Sequence, residues 1–250
     1  MPGDKRQTLP APVVSVAKRA FHRLRGDPTR YADLSADQHA LFERVRSYTQ
    51  TSRERVTTLA DAVRYVVRGN VPGDLVECGV WRGGSSMAIA MTLLELGSSD
   101  RGLWLYDTFT RMPPAGEWDR DHLGEKMSRE HPWPSASVEE VQAAVASTGY
   151  PRDHVRYVQG MVEQTIPKTA PDRIALLRLD TDWYSSTRHE LEHLYPRLEP
   201  GGVLIIDDYG HFAGARKAVD EYFAEAPVLL IRVDYTCRMA VKLPAGAAAT

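Results

Sequence analysis

Cysteine is nearly absent from this chain. Cys78 and Cys237 are the only two in 250 residues, and each lies in an apolar, strand-like run. That excludes a disulfide framework as the source of stability and predicts two buried thiols in a reduced protein. Long apolar runs are also missing. None approaches the ~20 residues that cross a bilayer, and the opening residues carry no secretory pattern, so a cytoplasmic protein with no membrane partner is expected. Neither sign of charge dominates: 31 Lys and Arg against 33 Asp and Glu leave a net charge of −2. Such a balance argues against a nucleic-acid binder. The dinucleotide fingerprint G-x-G-x-x-G is lacking too, because the glycines of VECGVWRGGSS fall at 79, 83 and 84. No internal repeat occurs.

What is present is an alternation of buried-strand and amphipathic-helix patterns from Asp74 onward, which predicts an α/β fold. Strands are expected at 74–80, 102–107, 155–159, 174–179 and 203–206, with an antiparallel pair from VLLIRV and CRMAVKL at the end. Helices are expected at 87–96, where Ser85 or Ser86 could cap, and at 138–147, 186–198 and 213–225, with a turn at 161–166. Ahead of the first strand come a proline-rich tail, a basic amphipathic helix at 13–25 and a helix at 35–48. A further helix starts where Thr51 and Glu54 have capping-box spacing. The chain is therefore divided into a helical cap and oligomer region at 1–70, a catalytic domain at 71–244 and a tail at 245–250. Residues 108–137, with their prolines, tryptophans and charges, read as a lid. The amphipathic leader suits packing against a second copy in a homo-oligomer.

Two strand ends carry the chemistry. LLRLDTDW places Asp180 and Asp182 after one apolar run, and GGVLIIDDYG places Asp207 and Asp208 after another. In open α/β sheets ligands bind beyond the carboxyl ends of the strands, so these four acids should converge. Unpaired they would repel one another, and a hard divalent cation such as Mg2+ or a proton-transfer role resolves the repulsion.

The first turn points to the other reactant. Gly79 permits a tight turn, while Gly83 and Gly84 leave backbone amides open before Ser85 and the next helix, a cradle for an amino-acid moiety. Glu77 could pair with an ammonium group, and Asp107, ending the second strand, could hydrogen-bond a ribose diol. Trp81 and Arg82 either shield the bound molecule or pack locally. A ribose joined to an amino-acid tail describes S-adenosylmethionine.

Taken together, VPGDLVECGVWRGGSSMAIAMTLL, LYDTFTRMP and LRLDTDWYSSTRHELEHLYPRLEPGGVLIIDDYGHFAGARKAVDEYF resemble the macrocin O-methyltransferase family over roughly 51–242. Its members methylate sugar hydroxyls of macrolides, aminocoumarins and related natural products. The resemblance implies a class I methyltransferase fold, with seven strands of which the last is antiparallel. It also implies S-adenosylmethionine as donor, Mg2+ held by Asp180, Asp207 and Asp208, and a sugar-containing acceptor. Thr108 and Phe109 fall with Asp107 in the donor set, the adenine would pass Gly160 and Met161, and Thr51 and Ser52 occupy the place where relatives bring the leader over the cofactor. Asp180, a metal ligand that also faces the donor, and Asp182 are the catalytic candidates. Spacing does not decide which of them takes the acceptor's proton, and His211 is an alternative base. The sequence departs from relatives in the lid and at Trp183, the regions that set the acceptor. A nicotinamide dehydrogenase, a magnesium-dependent phosphohydrolase and a non-catalytic sugar binder are the competing readings. The first lacks its fingerprint, the second lacks a Lys or Arg in the acidic loops, and the third leaves the first turn unexplained.

Overall fold

The computed structural model describes residues 31–127 and 135–244. The leader helix expected at 13–25, the tail at 245–250 and residues 128–134 of the expected lid lie outside them. The chain divides into two compact units, 1–40 and 41–250. In the described part of the first, Ser35 and Gln38 exchange backbone-to-side-chain hydrogen bonds, a capping box that opens helix α1 (Ala36–Val45).

The second unit is built on a seven-stranded sheet in the order β3-β2-β1-β4-β5-β7-β6. Its strands are β1 (Asp74–Cys78), β2 (Leu103–Asp107), β3 (Val155–Gln159), β4 (Ile174–Leu179), β5 (Leu198–Ile206), β6 (Ile231–Arg232) and β7 (Arg238–Val241). β1 to β5 run parallel, and β7 inserts antiparallel between β5 and β6. The expected α/β sheet with an antiparallel last strand is the observed one. α2 (Arg53–Arg68) precedes β1, and between the strands lie α3 (Gly84–Glu95), α4 (Val138–Ala146), α5 (Val162–Thr165), α6 (Tyr184–Leu194) and α7 (Ala213–Tyr222).

Two apolar layers sandwich the sheet. On one face Leu59, Val63 and Val66 of α2, Ile89 and Leu93 of α3 and Val141 of α4 pack on Leu75, Leu105 and Val203. On the other, Leu191 and Leu194 of α6 and Val219 of α7 pack on Val76, Leu177 and Leu204. Because β4 is buried on both faces, it reads as a continuous apolar run broken only by Arg178. Cys78 and Cys237 are buried and free, as expected. Among the described residues no helix is long and apolar enough to cross a membrane.

Three local expectations need correction. Ser52, not Thr51, caps α2, accepting from the Arg55 amide. α3 begins at Gly84 behind Gly83 in a left-handed conformation, so Ser85 and Ser86 lie inside its first turn. β5 starts at Leu198, which ends α6 and its following 3-10 turn early.

Gly79 is where β1 meets β4. Its φ is +82°, and a Cβ there would lie 1.9 Å from the Asp180 carbonyl oxygen. Asp180 N in turn donates to Cys78 O at 2.8 Å. The glycine turn and the first acidic loop are thus in direct backbone contact. Gly79→Ala should destabilise the fold by at least ~2 kcal/mol, a left-handed penalty plus a backbone collision, measured by urea unfolding.

Candidate active site

Asp180 leaves β4 and Asp207 leaves β5, two adjacent parallel strands, so the two acidic loops meet as expected. Carboxylate oxygens of Asp180, Asp207 and Asp208 lie within 4.8 Å of one another. Asp208 Oδ2 accepts from the Asp182 amide at 3.2 Å. Asp182 itself has φ +63°, a left-handed conformation costing about 1–3 kcal/mol, which the surrounding contacts must hold in place. Burial and then the charge of Asp180 push the Asp182 carboxyl up to about 8. Burial likewise lifts Asp180 to about 6, with Asp207 adding to it and Arg178 opposing. Asp208 is raised by burial and then by Asp182.

What keeps this cluster intact is a pair of arginines that the reading of the acidic loops overlooked. Arg178 of β4 is buried and reaches Glu77 Oε1 at 2.6 Å, Asp180 Oδ2 at 2.7 Å and Asp207 Oδ1 at 2.9 Å. Arg55 of α2 pairs with the second oxygen of Asp207 and, at 3.1 Å, with Asp234. Burial pulls the Arg178 pKa down, but the charges of Asp180, Asp207 and Glu77 outweigh it and the group is raised. One signal for Arg178 was available: a lone arginine inside an apolar strand must find carboxylates. Arg55 carried none, lying on an ordinary amphipathic helix.

A cavity of about 430 Å³ opens on these acids. Its wall joins Gly79, Trp81 and Ser85 of the first turn, Asp107 and Thr108, Gly160 and Met161, and Thr51 to Asp180, Asp182, Asp207 and Asp208. His211, Phe212 and Tyr235 line it as well. The structure therefore brings most of the expected residues to one volume. Six of them stand outside its wall. Glu77 is buried against Arg178 and the Ser86 hydroxyl, so its charge is already countered within the sheet. Arg82 turns outward to Ser47 O at 3.1 Å and over the Tyr48 ring. Gly83 faces Val141, Gly84 approaches the Tyr48 carbonyl, and Phe109 is buried in the core. Ser52 caps α2 and donates to Asp234 at 2.8 Å.

Asp107 lines the cavity, and its carboxylate also serves the backbone. Its carboxylate accepts from the amides of Val80 (2.7 Å), Trp81 (3.0 Å) and Phe109 (2.8 Å), fastening the first turn to β2. Trp81 and Phe109 both have positive φ, so this carboxylate holds two strained residues. Among the described residues, Trp81 Nε1 is the one buried side-chain polar atom without a hydrogen-bond partner. Buried donors are nearly always satisfied, and an orphan in this wall marks a place for a ligand acceptor. The three carboxylates are hard oxygen donors whose mutual repulsion a divalent cation would relieve, so the donor set fits Mg2+.

Comparison with known proteins decides the family. The sequence model of macrocin O-methyltransferase (TylF) matches residues 14–240. The chain belongs to the macrocin O-methyltransferase family. It is 40% identical over 177 residues to an 8-demethyl-8-(2,3-dimethoxy-alpha-L-rhamnosyl)-tetracenomycin-C 4'-O-methyltransferase of Streptomyces olivaceus, covering 70% of this chain and 67% of that one. It is 32% identical over 222 residues to a demethyldecarbamoylnovobiocin O-methyltransferase of Streptomyces niveus, covering 83% and 84%. Among solved structures, the O-methyltransferase NovP matches with a TM-score of 0.72 and 32% identity over 79% of this chain and 83% of that one.

Removing the counter-charge should expose its role. Arg178→Met leaves Glu77, Asp180 and Asp207 facing one another and should cost about 3–5 kcal/mol in urea unfolding at pH 8. Burial, the leading cause, already holds Glu77 up to about 7 and Asp180 to about 6. Folded acids with raised pKa values bind more protons than the unfolded chain, so stability is lost as pH rises through those values. The Arg178→Met deficit should shrink as pH falls from 8 to 5.

Proposed function

We propose that the chain transfers a methyl group from S-adenosylmethionine to a sugar hydroxyl of a natural-product glycoside or nucleotide sugar, with Mg2+ in the site. The observation that carries this reading is the single cavity joining the glycine turn, the ends of β2 and β3 and the four acids. Membership of the macrocin O-methyltransferase family and relatives named for antibiotic glycosides support the same assignment.

Gly79, Trp81, Ser85, Asp107, Thr108, Gly160 and Met161, with Thr51, would hold the donor, which supplies an electrophilic sulfonium methyl. Asp180, Asp207 and Asp208 would hold Mg2+, which supplies a positive charge that favours loss of a proton from a coordinated vicinal diol. A neutral aliphatic hydroxyl is a weak nucleophile, so a base is needed. Asp182 is that base. Burial and the charge of Asp180 raise its carboxyl above the usual carboxylate range, which makes it a stronger base. Its strained backbone sets the carboxyl over the cavity beside Asp208, while Arg55 and Arg178 hold the acids apart from below. The same arginines give no support to a phosphohydrolase, because both are engaged with carboxylates. Residues 71–244 form the catalytic domain in this reading, with 1–70 as helical cap and oligomer contact, in a cytoplasmic homo-oligomer.

Labelled-methyl transfer to a panel of deoxysugar glycosides and nucleotide sugars, with and without chelator, tests the assignment. Transfer is expected to fall at least tenfold on metal removal and to return with Mg2+; undiminished transfer would remove the metal from the site. In Asp182→Asn, kcat should drop about 10²–10⁴-fold with donor affinity unchanged. Normal turnover in that variant would eliminate Asp182 as the base.

A further inference from the structure

The long connection after β2 is rooted in the structure through one buried carboxylate. Asp119 is 2% exposed, although it lies in a stretch with no helix or extended strand of its own. Its Oδ1 accepts from the Tyr184 amide at 2.8 Å and its Oδ2 from the Gly116 amide at 2.6 Å. No lysine or arginine pairs with it among the ion pairs of the described residues. Tyr184 is the first residue of α6, whose cap position is held by Trp183 with no capping side chain of its own. Asp119 takes over that role from 65 residues away.

A second helix start converges on the same carboxylate. A Cβ on Gly214, in the first turn of α7, would lie 2.0 Å from Asp119 Oδ1 and 3.0 Å from the Tyr184 amide. Only glycine leaves room for the carboxylate between the two helices. Next to it, Ala213 N donates to Arg120 O at 2.9 Å, and Trp183 Nε1 donates to Pro113 O at 2.9 Å. Met112, Ala115 and Met127 pack with Trp183, Phe212 and Ala215 beneath. The positive ends of two helix dipoles stabilise a negative charge placed between them.

These helices follow the two acidic loops. α6 begins two residues after Asp182, and α7 begins five after Asp208. We infer that Asp119 is a positioning residue that clamps the starts of α6 and α7 together, and so sets Asp182 against the Asp207–Asp208 loop and seats residues 112–127, whose Met112, Pro113 and Pro114 line the cavity. Its effect on turnover rests on the methyl-transfer reading; its effect on the loop does not.

Two variants approach the clamp from opposite sides. Asp119→Ala removes the carboxylate, and Gly214→Ala inserts a methyl where its oxygen sits; Asp119→Asn keeps the acceptor oxygen and drops the charge. Hydrogen exchange should rise at least tenfold at Gly116 and Tyr184 and over 112–127 in Asp119→Ala and in Gly214→Ala, and less in Asp119→Asn. The double variant should lose no more than either single one, because both act on one contact. With acceptors that the unaltered chain methylates, kcat should fall at least tenfold while the affinity for S-adenosylmethionine stays within twofold. Unchanged exchange at Gly116 and Tyr184, additive losses in the double variant, or donor affinity falling in step with kcat would each overturn the clamp. An unaltered chain that methylates nothing would sink the methyl-transfer reading instead and leave the exchange arm decisive for the clamp.

Discussion

The buried guanidinium of Arg178 is the interaction on which the site depends. Glu77 and Arg178 are register partners on the adjacent strands β1 and β4, so the ion pair is built into the sheet. Both face the side covered by α2 and α3, where Ser86 donates to Glu77 and Arg55 closes on Asp207. Burying one such charge alone costs several kcal/mol, and the attraction of a single partner seldom offsets it. Here Arg178 meets three carboxylates, and Arg55 shares Asp207 with it and pairs with Asp234 as well, so both arginines and Asp207 have more than one counter-charge. The arrangement leaves negative charge in excess where the acids face the cavity. That surplus is what makes the cluster able to take a cation or a proton.

Around this network the backbone is held in unfavourable conformations. Trp81, Phe109 and Asp182 all have positive φ, and two of the three line the cavity. Each is fixed by a neighbour: the Asp107 carboxylate grips the Trp81 and Phe109 amides, and Asp208 takes the Asp182 amide. Strain that the surroundings over-determine is characteristic of places where geometry matters more than stability. Gly79, in backbone contact with Asp180, ties the glycine turn to the loop of Asp180 and Asp182. The two halves of the proposed reaction therefore share one rigid junction.

The connection after β2 shows how an irregular segment acquires a place. It has little periodicity, yet Asp119, Pro113 and Arg120 fasten it to the helix starts behind the acidic loops, and a small apolar cluster packs under it. Polar residues that suggest a solvated loop are here capping groups for distant helices. The segment that would meet an acceptor and the residues that would act on it are thereby joined at one point.

The sequence alone determined the sheet and the placing of the acids. β3 and β4 were legible to the residue; β4, buried throughout, is a short apolar run with a sharp end, and ligand-binding residues follow such ends. The glycine turn and the paired aspartates were legible for the same reason. Helix starts were less so: Ser52 caps where Thr51 was expected, and Gly83 where a serine was, since capping depends on one residue's dihedral angles and not on periodicity. Only the tertiary structure decided the partners. Arg178 meets Glu77 across 101 residues, Arg55 meets Asp207 across 152, and Asp119 caps α6 from 65 away. An ion pair or a remote cap leaves no periodic trace along the chain; it exists only once the sheet order has brought its two halves together.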